Sequence, residues 1–269
     1  MALSGPRMAA DATCLSWAPP VHLQWLEGAR QPLRYLWDDT RASADFRHDA
    51  QDLLEAMAPA SHRAHLALAL GLYEWVVWRF HGLHRDPVPL QLLEAGWCAA
   101  VDPRCLGFFV LPRDAWHGPV RGPLWCAMTW LQAALQDGPH RPEEVDDGVD
   151  YLYRLAMHVL PNTAPLQDWL AWLVPRLVRQ SPDLVEDLYA DLFDARLGAG
   201  FGALVDRPQL WPETASVQDG PSRWLPHLVA QAGSQPHNPL LRTPWPDWLT
   251  RADWPAWVQT TSPAEALPP

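Results

Sequence analysis

The chain has 269 residues, 48% hydrophobic and 19% charged, with 31 acidic against 20 basic side chains and a formal net charge of −11 at pH 7. Such a composition supports a buried core and argues against wholesale disorder. The charge argues against nucleic acid and anionic membrane surfaces as partners, since both need a basic face, and favours a basic protein partner.

Lysine and isoleucine are absent, asparagine occurs twice, and every basic residue is arginine. A GC-rich genome depletes all three together, whereas avoidance of lysine chemistry would spare isoleucine, so the bias reads as codon usage. Without lysine there is no Schiff-base catalysis and no P-loop lysine. Gly-x-Ser-x-Gly, His-Glu-x-x-His and dinucleotide glycine patterns are also missing, and no catalytic residue or cofactor is expected. Residues 1–20 lack a signal-peptide pattern and no apolar run approaches ~20 residues, which predicts a cytoplasmic protein. Cys14, Cys98, Cys105 and Cys126 have no C-x-x-C spacing and read as buried thiols.

In chain order, 1–20 reads as an N-terminal extension, 21–198 as a helical domain and 199–269 as a Pro/Trp-rich segment packed on it. Leu23, Trp25, Leu26, Leu33 and Trp37 predict one or two short helices interrupted near Gly28 and Pro32. Ala42 to Met57 carries a stripe of Phe46, Leu53, Leu54 and Met57. Ser61 is placed to cap the strongest helix, His62 to His81, and Gly82 to end it. Leu66, Leu70, Tyr73, Val77 and Phe80 line one face of that helix, and Leu68, Leu72, Trp75 and Trp78 another, which puts it at a domain centre. Glu74 within it is expected at a wet edge; if buried, it is paired with Arg79 or another arginine, or raised in pKa.

A helix follows over Leu90 to Val101, then an ordered loop over Pro103 to Pro123 with Leu106 to Leu111 as its strand-like piece. Leu124 to Gln136 is helical and stops at Asp137-Gly138-Pro139. Pro142 opens a helix to Val159, and Pro165 another, which Pro175 is expected to kink or split. Ser181-Pro182-Asp183 starts a last helix to Leu197. The pattern predicts an all-α fold of antiparallel helical pairs, as a bundle or short HEAT-like array, wrapped by an irregular C-terminal segment.

Six of the seventeen tryptophans, Trp211, Trp224, Trp245, Trp248, Trp254 and Trp257, fall among prolines after Gly198. Trp245-Pro-Asp-Trp248 recurs as Trp254-Pro-Ala-Trp257. These indoles read as staples onto the helical body, with a binding hot spot for another protein or a solvated tail as alternatives.

Two short patterns resemble known chemistry. Asp146-Asp147-Gly-Val-Asp150 resembles the D-D-x-x-D motif of helical isoprenoid synthases, which would make these three acids Mg²⁺ ligands for a diphosphate, with Asp187 and Asp191 as a second pair. Glu143, Glu144 and Asp146 also suit the positive end of a helix dipole without any ligand. His48-Asp49 resembles the His-Asp pair of helical phosphohydrolases, which would need further ligands such as His22 and Asp102. The pairs His62/His65 and His81/His84 bracket one helix and stand ~28 Å apart, too far for a shared metal.

The leading expectation is an acidic helical module that binds a basic protein, as an inhibitor, immunity protein or adaptor of a bacterium. Its nominated surface is Glu143, Glu144, Asp146, Asp147 and Asp150, then Asp187, Asp191 and Asp194, with the indoles Trp245, Trp248, Trp254 and Trp257. A Mg²⁺-dependent enzyme acting on a diphosphate and a helical-repeat scaffold are the alternatives.

Overall fold

A computed structural model describes residues 18–26, 31–136, 141, 143–183, 201–214, 224–234 and 238–242. Its α-helices are α1 (Gln51–Met57), α2 (His62–Phe80), α3 (Val88–Val101), α4 (Gly118–Gln136), α5 (Glu143–Val159), α6 (Ala164–Gln180) and α7 (Trp224–Ser234). Short 3-10 turns lie at Val21–Leu26, Pro103–Cys105, Arg113–Ala115, Arg207–Leu210 and Pro212–Thr214, and no strand forms among the described residues. The fold is all-α, as the periodicity predicts.

The axis is α2. The Ser61 hydroxyl accepts from the Ala64 amide at 3.4 Å, and Gly82, at φ +84°, supplies the left-handed turn that ends the helix. Only His62 and His65 among its nineteen residues escape full burial. A helix buried all round needs neighbours on every side, and α3, α4 and α5 pack along it. Trp169 of α6 adds a further wall, its ring centroid 5.8 Å from that of Trp75.

Burying α2 also buries charge, and each group finds a partner. Arg63 donates to the carbonyls of Ala100 (3.3 Å), Val101 (3.4 Å) and Gly202 (2.6 Å). Arg79 donates to those of Val159 (3.1 Å), Gln31 (3.4 Å) and Pro32 (2.9 Å). Two arginines of one helix thus satisfy carbonyls at the C-termini of α3 and α5, where a cation also complements the dipole. Glu74 does not reach a wet edge. It is buried, accepts from the Trp78 indole at 2.9 Å, and takes both a 3.1 Å and a second, shorter bond from buried Arg207.

The structure departs from the predicted element bounds in four places. Helix α1 starts at Gln51 rather than Ala42: residues 38–46 run through successive turns, in which the amides of Arg41, Ala44 and Phe46 donate to the carbonyls of Asp38 (3.0 Å), Arg41 (2.8 Å) and Ser43 (3.3 Å). Val21–Leu26 is a 3-10 turn that buries Leu23 and Leu26. Helix α4 begins at Gly118, six residues earlier than expected, with Pro123 inside it. Pro123 cannot donate to the Pro119 carbonyl, and the Tyr35 hydroxyl supplies the missing donor. Pro175 does not split α6, since it and Ala171, whose carbonyl loses its helical partner, both face solvent.

Leu106–Leu111 is extended. Leu106 pairs antiparallel with Leu241, while Gln132 and Trp125 of α4 donate to the Phe109 (2.7 Å) and Leu111 (3.3 Å) carbonyls. Leu204, Val205 and Leu210 join the common core, as do Leu225, Leu228 and Val229 of α7. The Asp206 carboxylate accepts from the amides of Trp224 (3.1 Å) and Leu225 (3.0 Å) at the start of α7. Trp224 meets Trp97 edge to face, with centroids 5.9 Å apart. The stop at Asp137-Gly138-Pro139 and the helix expected to run to Leu197 lie outside the described residues, except for its expected start at Ser181, Pro182 and Asp183. Ser181 ends α6, and its hydroxyl meets that of Ser61 at 2.6 Å.

Candidate functional site

Helix α5 is the most sharply two-sided of the described helices. Val145, Val149, Leu152, Leu155 and Ala156 face the core, where they pack on α2 and α4. Residues at i, i+4 and i+7 then share the opposite face, so that exposed Glu143 and Asp147 and half-buried Asp150 form one stripe, flanked by Asp146 and Glu144. Glu143 keeps 64% of its side chain in solvent and Asp146 49%, while Asp147 is exposed and makes no hydrogen bond or ion pair among the described residues.

Bases border this face without neutralising it. Arg141 pairs with Glu144 (2.8 Å) and Glu143 (3.4 Å), and Arg154 with Asp150 (3.0 Å). Helix α1 extends the acidic field with exposed Asp49, Asp52 and Glu55 on or beside it. The Tyr153 hydroxyl of α5 is raised in pKa by burial and then by the charges of Asp49 and Asp52, so the two helices share one field. Exposed pairs of this kind contribute at most about 1 kcal/mol each, and the remaining carboxylate charge acts outward, on an approaching partner.

At the inner margin, Asp146 meets His65 Nδ1 at 2.6 Å while His65 Nε2 lies 2.8 Å from the Met57 carbonyl. Both ring nitrogens face acceptors, an arrangement that only the doubly protonated ring satisfies in full. Burial works against that proton, but the bonds to Asp146 and Met57 outweigh it and the His65 pKa is raised. His62 one turn earlier does the opposite. Burial, then the neighbouring Arg63 and His65, push it down to about 4, and its ring lies 4.7 Å from that of Phe201.

The D-D-x-x-D residues do not converge. Asp146 is engaged by His65, Asp150 by Arg154, and among the described residues no three His, Cys, Asp or Glu side chains come together as a metal set. The phosphohydrolase-like set is dispersed too. His48 is exposed, and Asp102 caps the Pro103–Cys105 turn and holds Arg104. His22 lies parallel to Trp169, 3.4 Å from Glu213, and burial lowers its pKa. Cys98, Cys105 and Cys126 take part in no disulfide.

Asp187, Asp191, Asp194, Trp245, Trp248, Trp254 and Trp257 lie outside the described residues. Two associations escaped the sequence reading, Glu74–Arg207 and His22–Glu213. Their partners are 133 and 191 residues apart, and no local pattern marks Arg207 or Glu213 as a partner. Among the described residues no helix is long and apolar enough to cross a membrane. Comparison with protein-family models, with curated proteins and with solved structures found no match to this chain.

Proposed function

We propose that this chain is a binding protein, an inhibitor, immunity protein or adaptor, which receives a basic protein on the acidic face of α5. The observation that supports the reading is the stripe Glu143, Asp147 and Asp150, carried on a helix whose other face is locked against α2 and α4. A rigid helix presents its charges in a fixed pattern, so a complementary surface pays little ordering cost on docking. Like charges gathered on one side also steer a basic partner before contact. Asp49, Asp52 and Glu55 of the α1 side widen the target.

The test is the association rate with the basic protein that co-purifies from the native extract, measured for the wild type and for the double variant Glu143→Lys/Asp147→Lys. Both side chains are exposed, so the substitutions leave the core intact. The rate at low salt is expected to fall roughly tenfold or more, with the gap closing as salt rises. An unchanged rate would remove α5 as the docking face.

A further inference from the structure

The turn between α2 and α3 and the first turn of α4 border an open hollow of about 430 Å³, walled by Leu83, Pro87 and Val120 and edged by His84, Arg85, Asp86 and Arg121. Its polar groups present almost nothing but donors. Both oxygens of Asp86 are already taken, one by the Val88 amide at 3.1 Å and the other by Arg121 at 3.0 Å. His84 Nδ1 accepts from the Asp86 amide at 3.2 Å, which places the ring proton on Nε2, and Nε2 has no partner among the described residues. Arg85 is exposed and makes no hydrogen bond or ion pair among them. Arg121 is held in plane between Asp86 and the Trp116 ring, 4.6 Å from its centroid.

Two guanidinium groups against one engaged carboxylate leave this hollow net positive in a chain whose net charge is −11. We propose that it binds a small molecule through one carboxylate or phosphate group, which Arg85, Arg121 and the Nε2–H of His84 receive while Leu83, Pro87 and Val120 cover an apolar part. Guanidinium groups match the planar oxygens of a carboxylate and the paired oxygens of a phosphate, and the volume is that of a small-ligand site. Burial lowers the pKa of His84, which keeps its ring neutral and its Nδ1 free to accept. The site shares no residue with the α5 face and stands independently of the function proposed above.

The test is a ¹H–¹⁵N NMR titration of the full chain, at constant ionic strength, with inorganic phosphate, with acetate and with uncharged glycerol. Saturable shifts confined to the amides of 83–86, 88 and 120–121 are expected with at least one anion and not with glycerol. Arg85→Gln is expected to weaken that binding about tenfold, because it removes one charge-assisted contact. Tighter phosphate binding assigns a phosphoryl ligand and tighter acetate binding a carboxylate, and either upholds the site. Shifts that never saturate, that scatter over the surface, or that Arg85→Gln leaves unchanged would overturn it.

Discussion

Glu74 and Arg207 each retain 4% of their side-chain exposure, so two full charges sit out of water in the middle of the molecule. Desolvation costs several kcal/mol per ion, and the two bonds from Arg207 to Glu74, together with the one from the Trp78 indole, offset it. Arg207→Met alone is expected to destabilise the fold by about 3–5 kcal/mol, since it strands a buried carboxylate. Adding Glu74→Leu should recover most of that loss, a cycle that urea denaturation can read. No recovery in the double variant would mean that the arginine acts through packing rather than charge. His65 makes a second prediction at this scale. Its folded pKa lies above 6.5, so its stabilisation is complete below that value and is lost as pH rises through the folded pKa. The cost of His65→Gln, read by urea denaturation, is therefore expected to be larger near pH 5.5 than near pH 8.5, and an equal cost at the two would contradict it. His62, depressed to about 4, works in the other direction: the unfolded chain takes the proton first, and stability drops as pH falls from 6.5 toward that value.

At the scale of elements, α4 shows why local rules misplace a helix start. Its residue Pro123 leaves the Pro119 carbonyl without a donor, and the hydroxyl that replaces it comes from Tyr35, 84 residues away. Tyr35→Phe is expected to cost about 1 kcal/mol in the native sequence and distinctly less in a Pro123→Ala background, where the new amide serves the same carbonyl. Equal costs in the two backgrounds would separate Tyr35 from the helix. Gly71 poses a sign question within α2. Alanine there gains up to about 1 kcal/mol of helix propensity, yet its Cβ would stand 2.9 Å from Cη2 of Trp169. That indole is anchored, donating to the Leu210 carbonyl at 2.8 Å, so it cannot retreat freely. Gly71→Ala is expected to destabilise by about 1 kcal/mol net, read as a lower denaturant midpoint.

The same elements explain what the sequence revealed. Apolar residues on both faces of His62 to His81, between Ser61 and Gly82, specify a central buried helix, and the alternation in 143–159 specifies an acidic outer face. The late start of α1, the early start of α4 and the continuity of α6 were not legible. The α4 start and the α6 continuity depend on where a side chain or solvent stands relative to one backbone carbonyl, and the α1 start on a run of turns over 38–46. Glu74 went the same way: its composition-level surroundings suggest a wet edge, and only the fold brings Arg207 to it.

Taken as a whole, the molecule buries charge of both signs and keeps its acidic helix faces outside. Among the described residues Arg63, Arg79 and Arg207 are buried against carbonyls and Glu74, and Glu74, Glu94, Asp102 and Asp206 are buried with them, while the carboxylates of α5 and the α1 side stay at the surface. The chain carries 31 acidic against 20 basic side chains, and that excess, gathered in part on α5, is the basis for expecting a basic partner. The most direct test is quantitative capture from the native cell extract at low salt, comparing immobilised wild type with Glu143→Lys/Asp147→Lys. The expected result is one basic protein held in stoichiometric amount by the wild type and lost from the variant. Identical sets of captured proteins on the two would contradict the assignment of α5 as a recognition surface.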